Sequence, residues 1–233
     1  FHKGVIIMRK LPIGVQSFEK LITSNFIYVD KTEYVYNLAC IEGVYFLSRP
    51  RRFGKSLFLS TLKAYFEGKR ELFDGLKIME LTRDDPSAWQ AHPVFHFDFV
   101  GEDYTQENAL KQTLASKLTD WEKLYDCENP NLSLGDRFSK LLSTAHNKVG
   151  RKCVILIDEY DKPLLEVMSN SAMLEKNKQT FKSFFSILKG ADAHIRFALI
   201  TGVTKFTKVS LFSDLNNLND ISLQKKYTNI CGI

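Results

Sequence analysis

Apolar positions along the chain fall into two patterns, short continuous runs and residues at helical spacing, and the two alternate. Val44 to Leu47 is a short apolar run. His92-Pro-Val-Phe-His-Phe-Asp-Phe-Val100 is rich in aromatic and β-branched residues, and Arg196-Phe-Ala-Leu-Ile-Thr-Gly202 repeats the type. Each reads as a strand. Val154 to Ile157 is aliphatic without interruption, as expected of a strand covered on both faces in a parallel sheet. Helical spacing links Leu57, Phe58, Leu62, Tyr65 and Phe66. It also links Leu110, Leu114, Leu118 and Trp121 within 105–124, and Phe138, Leu141, Leu142 and Ala145 within 134–149. A further helix starts at Pro163, is long or broken near Asn170, and carries Phe181, Phe184, Phe185 and Leu188. Trp121 is expected in the core, and His96 as a packed strand residue.

Weaker signals fill the remainder. Residues 17–22 read as a helix. Phe26 to Val29 is β-prone, and Asp30 is placed to cap a helix over 32–40. Gly68, Gly75 and Pro86 mark the connection after Phe66 as loop, and 219–223 is a candidate last strand.

Two strands end in residues that carry chemistry. Tyr45-Phe-Leu-Ser-Arg-Pro-Arg-Arg-Phe-Gly-Lys-Ser56 leaves its apolar run through a basic turn and opens a helix with Gly-Lys-Ser. That is the context of a phosphate-binding P-loop. Gly54 lets backbone approach a phosphate with no Cβ in the way. Lys55 supplies a cation for the β- and γ-phosphate oxygens, and the Ser56 hydroxyl can ligate Mg²⁺. The free N–H groups of the helix start complete an anion cradle, so Arg51, Arg52, Phe53, Gly54, Lys55, Ser56 and Leu57 form the expected binding stretch. The general pattern G-x-x-x-x-G-K-[ST] puts its first glycine at residue 49, where this chain has Arg49. Either the loop enters by a different turn or the strict pattern is broken.

The second site strand is Lys152-Cys-Val-Ile-Leu-Ile-Asp-Glu-Tyr-Asp161. An aliphatic strand ending in Asp-Glu is the Walker B pattern, and open α/β sheets bind ligands at such strand ends. Asp158 would hold Mg²⁺, through water or via Ser56, as hard cations take oxygen ligands. Glu159 would orient and deprotonate an attacking water. Asp161 is expected to cap the helix that follows, with Pro163 in its first turn. Thr201, at the end of the next strand, would reach the γ-phosphate or the water, or merely end the strand.

With 233 residues the chain can bury one sizeable core, and two small domains are just possible. Hydrophobic content of 44%, with eighteen Phe, excludes disorder. Arg49, Arg51, Arg52 and Lys55 nearly account for the net charge of +5, so a nucleic-acid-coating surface is not required. A nucleic-acid-binding module is the weaker alternative those cations allow. Cys40, Cys127, Cys153 and Cys231 are widely spaced without a C-x-x-C, which fits reduced thiols in a cytoplasmic protein better than zinc. No run has the length of a membrane span. Residues 1–7 precede Met8 and are expected to lie upstream of the natural start, with 8–42 preceding a core over 43–233.

Tyr28-Val-Asp-Lys-Thr32, Ser48-Arg-Pro-Arg-Arg-Phe-Gly-Lys-Ser56, Leu156-Ile-Asp-Glu-Tyr-Asp161, Ile200-Thr-Gly202 and Leu218-Asn-Asp-Ile-Ser-Leu223 together resemble the predicted AAA-ATPase-like family of bacteria. That family is related to archaeal ATPases of the STAND type, and Arg49 matches its habit. The resemblance implies a three-layer αβα P-loop NTPase sandwich of the additional-strand, catalytic-glutamate class, with a mainly parallel sheet in the order 5-1-4-3-2. It implies Mg²⁺-dependent ATP binding and hydrolysis, with a slowly turning nucleotide-loaded switch or oligomerisation module as the alternative. Tyr28 and Val29 fall where related ATPases line the adenine pocket, and Arg51 and Arg52 are candidate phosphate or partner contacts. Members usually continue into a helical lid and a PD-(D/E)XK nuclease-like segment, neither expected within these residues. A homo-oligomer or a protein partner is the further expectation.

Overall fold

The structure, a computed structural model, describes residues 10–204 and 218–232. Its centre is a five-stranded, all-parallel sheet of β1 (Gly43–Ser48), β2 (Val94–Asp98), β3 (Cys153–Asp158), β4 (Ile195–Gly202) and β5 (Leu218–Asp220), in the order β2-β3-β4-β1-β5. From the opposite edge this is the expected 5-1-4-3-2. Parallel neighbours need crossover connections, and helices supply them on both faces.

One layer is α1 (Phe18–Thr23), α2 (Thr32–Ala39), α3 (Lys55–Phe66) and α4 (Lys77–Leu81). The other is built from α5 (Ala109–Tyr125), α6 (Leu134–Val149) and α8 (Ser171–Phe185), with the short α7 (Lys162–Leu165) before α8. Strand side chains alternate between two cores. Tyr45, Leu47, Val154, Leu156, Phe197 and Leu199 pack toward α1–α4. Val44, Phe46, Ile155, Ile157, Ala198 and Ile200 pack toward α5, α6 and α8. The second core is aromatic: Phe97 meets Trp121, Phe138 and Phe184 edge-on at centroid distances of 4.9, 5.2 and 5.5 Å. Edge-to-face pairs add roughly 0.5–1.5 kcal/mol each beyond burial. Among the described residues no helix is long and apolar enough to cross a membrane.

Three local expectations need correction. Phe26–Val29 is not a strand; Phe26 makes one isolated bridge with Lys10, and Ile27 and Val29 are exposed. The connection after α3 is not plain loop but a 3₁₀ turn at Arg70–Phe73 followed by α4. The start of α4 is satisfied from afar, since Lys77 N donates to Asp30 Oδ2 (2.7 Å) and Ile78 N to Thr32 Oγ1 (3.1 Å). With no capping residue of its own, α4 lacks the local signal that marks a helix. Finally, α5 starts at Ala109 rather than near residue 105, because Asp103 takes Thr105 N and Oγ1 into a turn and Asn108 adopts φ 61°. The break at Asn170 is as expected, its side chain accepting from Met173 N at 3.1 Å.

Candidate active site

All strands run the same way, so their carboxyl ends share one edge of the sheet. Leu47 pairs with Thr201 and Ser48 with Gly202, while Ile157 pairs with Ile200 and Asp98 with Asp158. The P-loop, Asp158, Thr201 and Asp98 are thereby gathered from β1, β3, β4 and β2.

Beyond Ser48 the chain turns through exposed Arg51, Arg52 and Phe53, and both Arg52 (φ 65°) and Gly54 (φ 82°) are left-handed. That conformation is free to glycine and strained for Arg52. Helix α3 then starts at Lys55, and the first amides of a helix have no partners within it. Lys55 is 4% exposed. Its ammonium donates to Arg49 O (3.1 Å) and Pro50 O (3.2 Å), so among the described residues its partners are neutral carbonyls. Ser56 and Leu57 are half-buried in the first turn.

Asp158 is 2% exposed. Its Oδ1 accepts from Thr201 Oγ1 (2.6 Å) and from Glu159 N (3.0 Å). Thr201 is fully buried, and its hydroxyl donates to Asp158 Oδ1, with Ile157 O as a longer second acceptor at 3.4 Å. Glu159 is partly exposed and left-handed, at φ 48°. Burial, and then the Asp158 charge, hold its carboxyl above the ordinary range, against the pull of Lys55 and Arg51.

Asp161 corrects an expectation. It stands at the N-cap position of α7 but makes no capping bond; its Oδ2 accepts from Val203 N (2.9 Å), Thr204 N (2.7 Å) and Thr204 Oγ1 (2.9 Å). It ties the end of β3 to the end of β4. Gly202 makes room for this: a Cβ there would meet Tyr160 Cε1 at 2.4 Å and Asp161 Oδ1 at 3.0 Å. Tyr28 lies half-buried beside Phe18, with a ring-centroid distance of 5.2 Å, while Val29 is exposed. Burial first, opposed by a hydrogen bond from Thr61, pushes the Tyr28 hydroxyl up to about 12.

Two neighbours of the site escape a motif search. Asp98 closes β2 beside Asp158, and its carboxylate accepts from Val100 N at 2.8 Å. Its signal is a carboxylate ending an aromatic strand, the arrangement that drew attention to Asp158. Arg49 spans the P-loop and the chain's C-terminal residues, which no linear pattern indicates.

For a metal, the Ser56 hydroxyl and the Asp158 carboxylate are hard oxygen donors. Among the described residues no group of three or more His, Cys, Asp or Glu could hold a metal. Mg²⁺ commonly takes one or two carboxylates, with waters and substrate phosphates completing its shell, so this sparse donor set fits it.

The parallel sheet, the crossover helices and the Gly-Lys-Ser loop at the carboxyl edge define the three-layer sandwich of P-loop NTPases. Within that class the chain belongs to the predicted AAA-ATPase family, whose model matches residues 12–212. It is also 41% identical over 226 residues to a protein of Azotobacter chroococcum mcd 1 described as "Uncharacterized protein in vnfD 5'region". That alignment covers 96% of this chain and 43% of the relative, so the chain spans less than half the relative's length. No solved structure matches it.

Proposed function

We propose that this chain binds ATP with Mg²⁺ and hydrolyses it. One observation carries the reading. At a single sheet edge a buried lysine and a buried aspartate are held by neutral partners, Lys55 by two carbonyls and Asp158 by a hydroxyl and an amide. Buried charges ordinarily have counter-charges, and a polyphosphate with its cation would supply both. Lys55 would leave its carbonyls for the β- and γ-phosphate oxygens, joined by the amides of residues 51–57. Ser56 and Asp158 would hold Mg²⁺, which neutralises charge building on the phosphates. Glu159 would take the proton of the attacking water, and burial, which raises its pKa, makes its carboxylate a stronger base. Thr201 would act through Asp158, fixing the carboxylate by its 2.6 Å bond. Tyr28 and Val29 are assigned to the base side of the nucleotide.

For a longer protein carrying this chain, family resemblance suggests a homo-oligomer or protein partner and a nuclease-like segment. Free cysteines at 40, 127, 153 and 231 suit a cytoplasmic setting.

Calorimetric titration of ATP with Mg²⁺ into this chain and into Lys55→Ala tests the reading, followed by phosphate-release kinetics. Binding by the parent that collapses in the variant is the expected result. DNA binding with a steep salt dependence and no response to ATP would replace it. Tight retention of ATP with negligible turnover would assign the slow switch instead.

A further inference from the structure

Arg49 stands where the P-loop pattern has a glycine, and its side chain reaches to the other end of the chain. Its Nη1 donates to Ser48 O (3.0 Å) and to Ser222 O, and its Nη2 donates to Tyr227 O at 3.1 Å. Ser48 N donates to Ser222 Oγ (2.9 Å), and Ile221 N donates to Phe46 O (3.0 Å). Ile221, Ser222, Tyr227 and Ile230 are buried while the residues between them face solvent. Ile221–Gly232 is thus a strap anchored at four points. Its far end returns to the loop: Gly232 N lies 3.8 Å from where a Cβ on Gly54 would sit, and Phe53 Cδ1 lies 3.9 Å from the same point on Gly232.

The backbone of Arg49 meanwhile faces the site. Its carbonyl accepts from the Lys55 ammonium and its N–H donates to Gly202 O (3.2 Å). One residue therefore touches the phosphate lysine, the end of β4 and the strap. A planar guanidinium can fork to two carbonyls from separate turns; a lysine ammonium keeps the charge without that fixed fork.

We propose that Arg49 is a positioning residue that joins Ile221–Gly232 to the P-loop as a wall of the nucleotide site, with Cys231 behind that wall. The inference rests on the nucleotide reading above. Cys231 supplies the readout: it is partly buried, against the core on the α1–α4 face near the loop, whereas Cys40 is exposed and remote from that edge, at the foot of β1.

The test is alkylation by iodoacetamide, followed peptide by peptide in the mass spectrometer with and without ATP and Mg²⁺. It is run on the parent, Arg49→Ala and Arg49→Lys, with ATP affinity measured in parallel. In the parent, ATP should slow Cys231 labelling at least tenfold and leave Cys40 unchanged. Both variants should label Cys231 at least tenfold faster than the parent without ATP, and ATP should no longer protect it. Arg49→Lys should lose less affinity than Arg49→Ala, since it keeps the charge. Variants that label like the parent in both conditions would overturn the proposal, as would a parent that binds ATP without protecting Cys231. A parent that binds no ATP sinks the nucleotide reading instead, and the strap's anchorage is still judged by labelling without ATP. Buried Cys127 and Cys153 report folding. Should they label in an arginine variant, Ser222→Ala, which removes one strap bond only, is read in its place with an expected several-fold acceleration.

Discussion

Two pairs of buried charges in this molecule differ in one respect. Between α5 and α6, Glu122 (2% exposed) and Arg137 (8% exposed) close on each other. Arg137 Nε donates to Glu122 Oε1 at 2.9 Å and Nη2 to Oε2 at 2.6 Å, and Thr119 Oγ1 takes a further bond at 2.9 Å. At the sheet edge, Lys55 and Asp158 are equally buried, yet each is paired with neutral groups. The first pair is complete as it stands. In the second, among the described residues, neither charge has an oppositely charged group in direct hydrogen-bond contact, which leaves both open to a ligand. Burial of charge marks a candidate site only where the counter-charge is missing.

Substitutions can break or sharpen that contrast. Glu159→Gln should show the largest effect, lowering turnover by roughly 10²–10⁴-fold while ATP binding stays within a few-fold, as single-turnover kinetics beside calorimetry would establish. Equal turnover would remove Glu159 from the mechanism. Arg137→Met strands a buried carboxylate and should cost about 3–5 kcal/mol in denaturant unfolding. Lys55→Met breaks no direct ion pair among the described residues and should leave stability within about 1 kcal/mol of the parent or above it, while removing ATP binding. Similar losses for the two would end the distinction. Thr201→Val removes the hydroxyl from Asp158 and should cost about 1–3 kcal/mol of stability. It should also weaken ATP binding more in Mg²⁺ than in EDTA, which a purely structural role would not do.

The smallest effect concerns pH. Glu159 holds its proton more tightly folded than unfolded. The stability this adds is fully present below the unfolded carboxyl pKa and is lost as pH rises through the higher folded value. At neutral pH Glu159→Gln should therefore melt slightly above the parent, and the gap should close as pH falls toward 4. A constant gap would mean the carboxyl is not perturbed in the nucleotide-free protein.

The strand–helix alternation, the Gly-Lys-Ser turn and the Asp-Glu strand end were legible because each is a local pattern. Strand burial demands aliphatic runs, a phosphate turn demands glycine and a helix start, and these signals lie within a dozen residues. The strand at 153–158 is fully buried, as its unbroken aliphatic character requires. What the chain concealed depends on partners distant in sequence. Helix α4 is capped by Asp30 and Thr32, so its own residues read as loop. Asp161 could have capped α7, but the end of β4 offers three donors to its carboxylate.

The sequence by itself determined the class of protein and the atoms available for chemistry: a P-loop cation, a hydroxyl, and two adjacent carboxylates at a strand end. Only the tertiary structure decided which partners those atoms meet. The sheet order sets Thr201 against Asp158 and Asp98 beside it, and the course of Ile221–Gly232 turns Arg49 from a missing glycine into an anchor. The physical reason is range. Propensity and periodicity act over a few residues, whereas the partner of a buried polar group is chosen by whichever segments the packed sheet brings within about 3 Å of it.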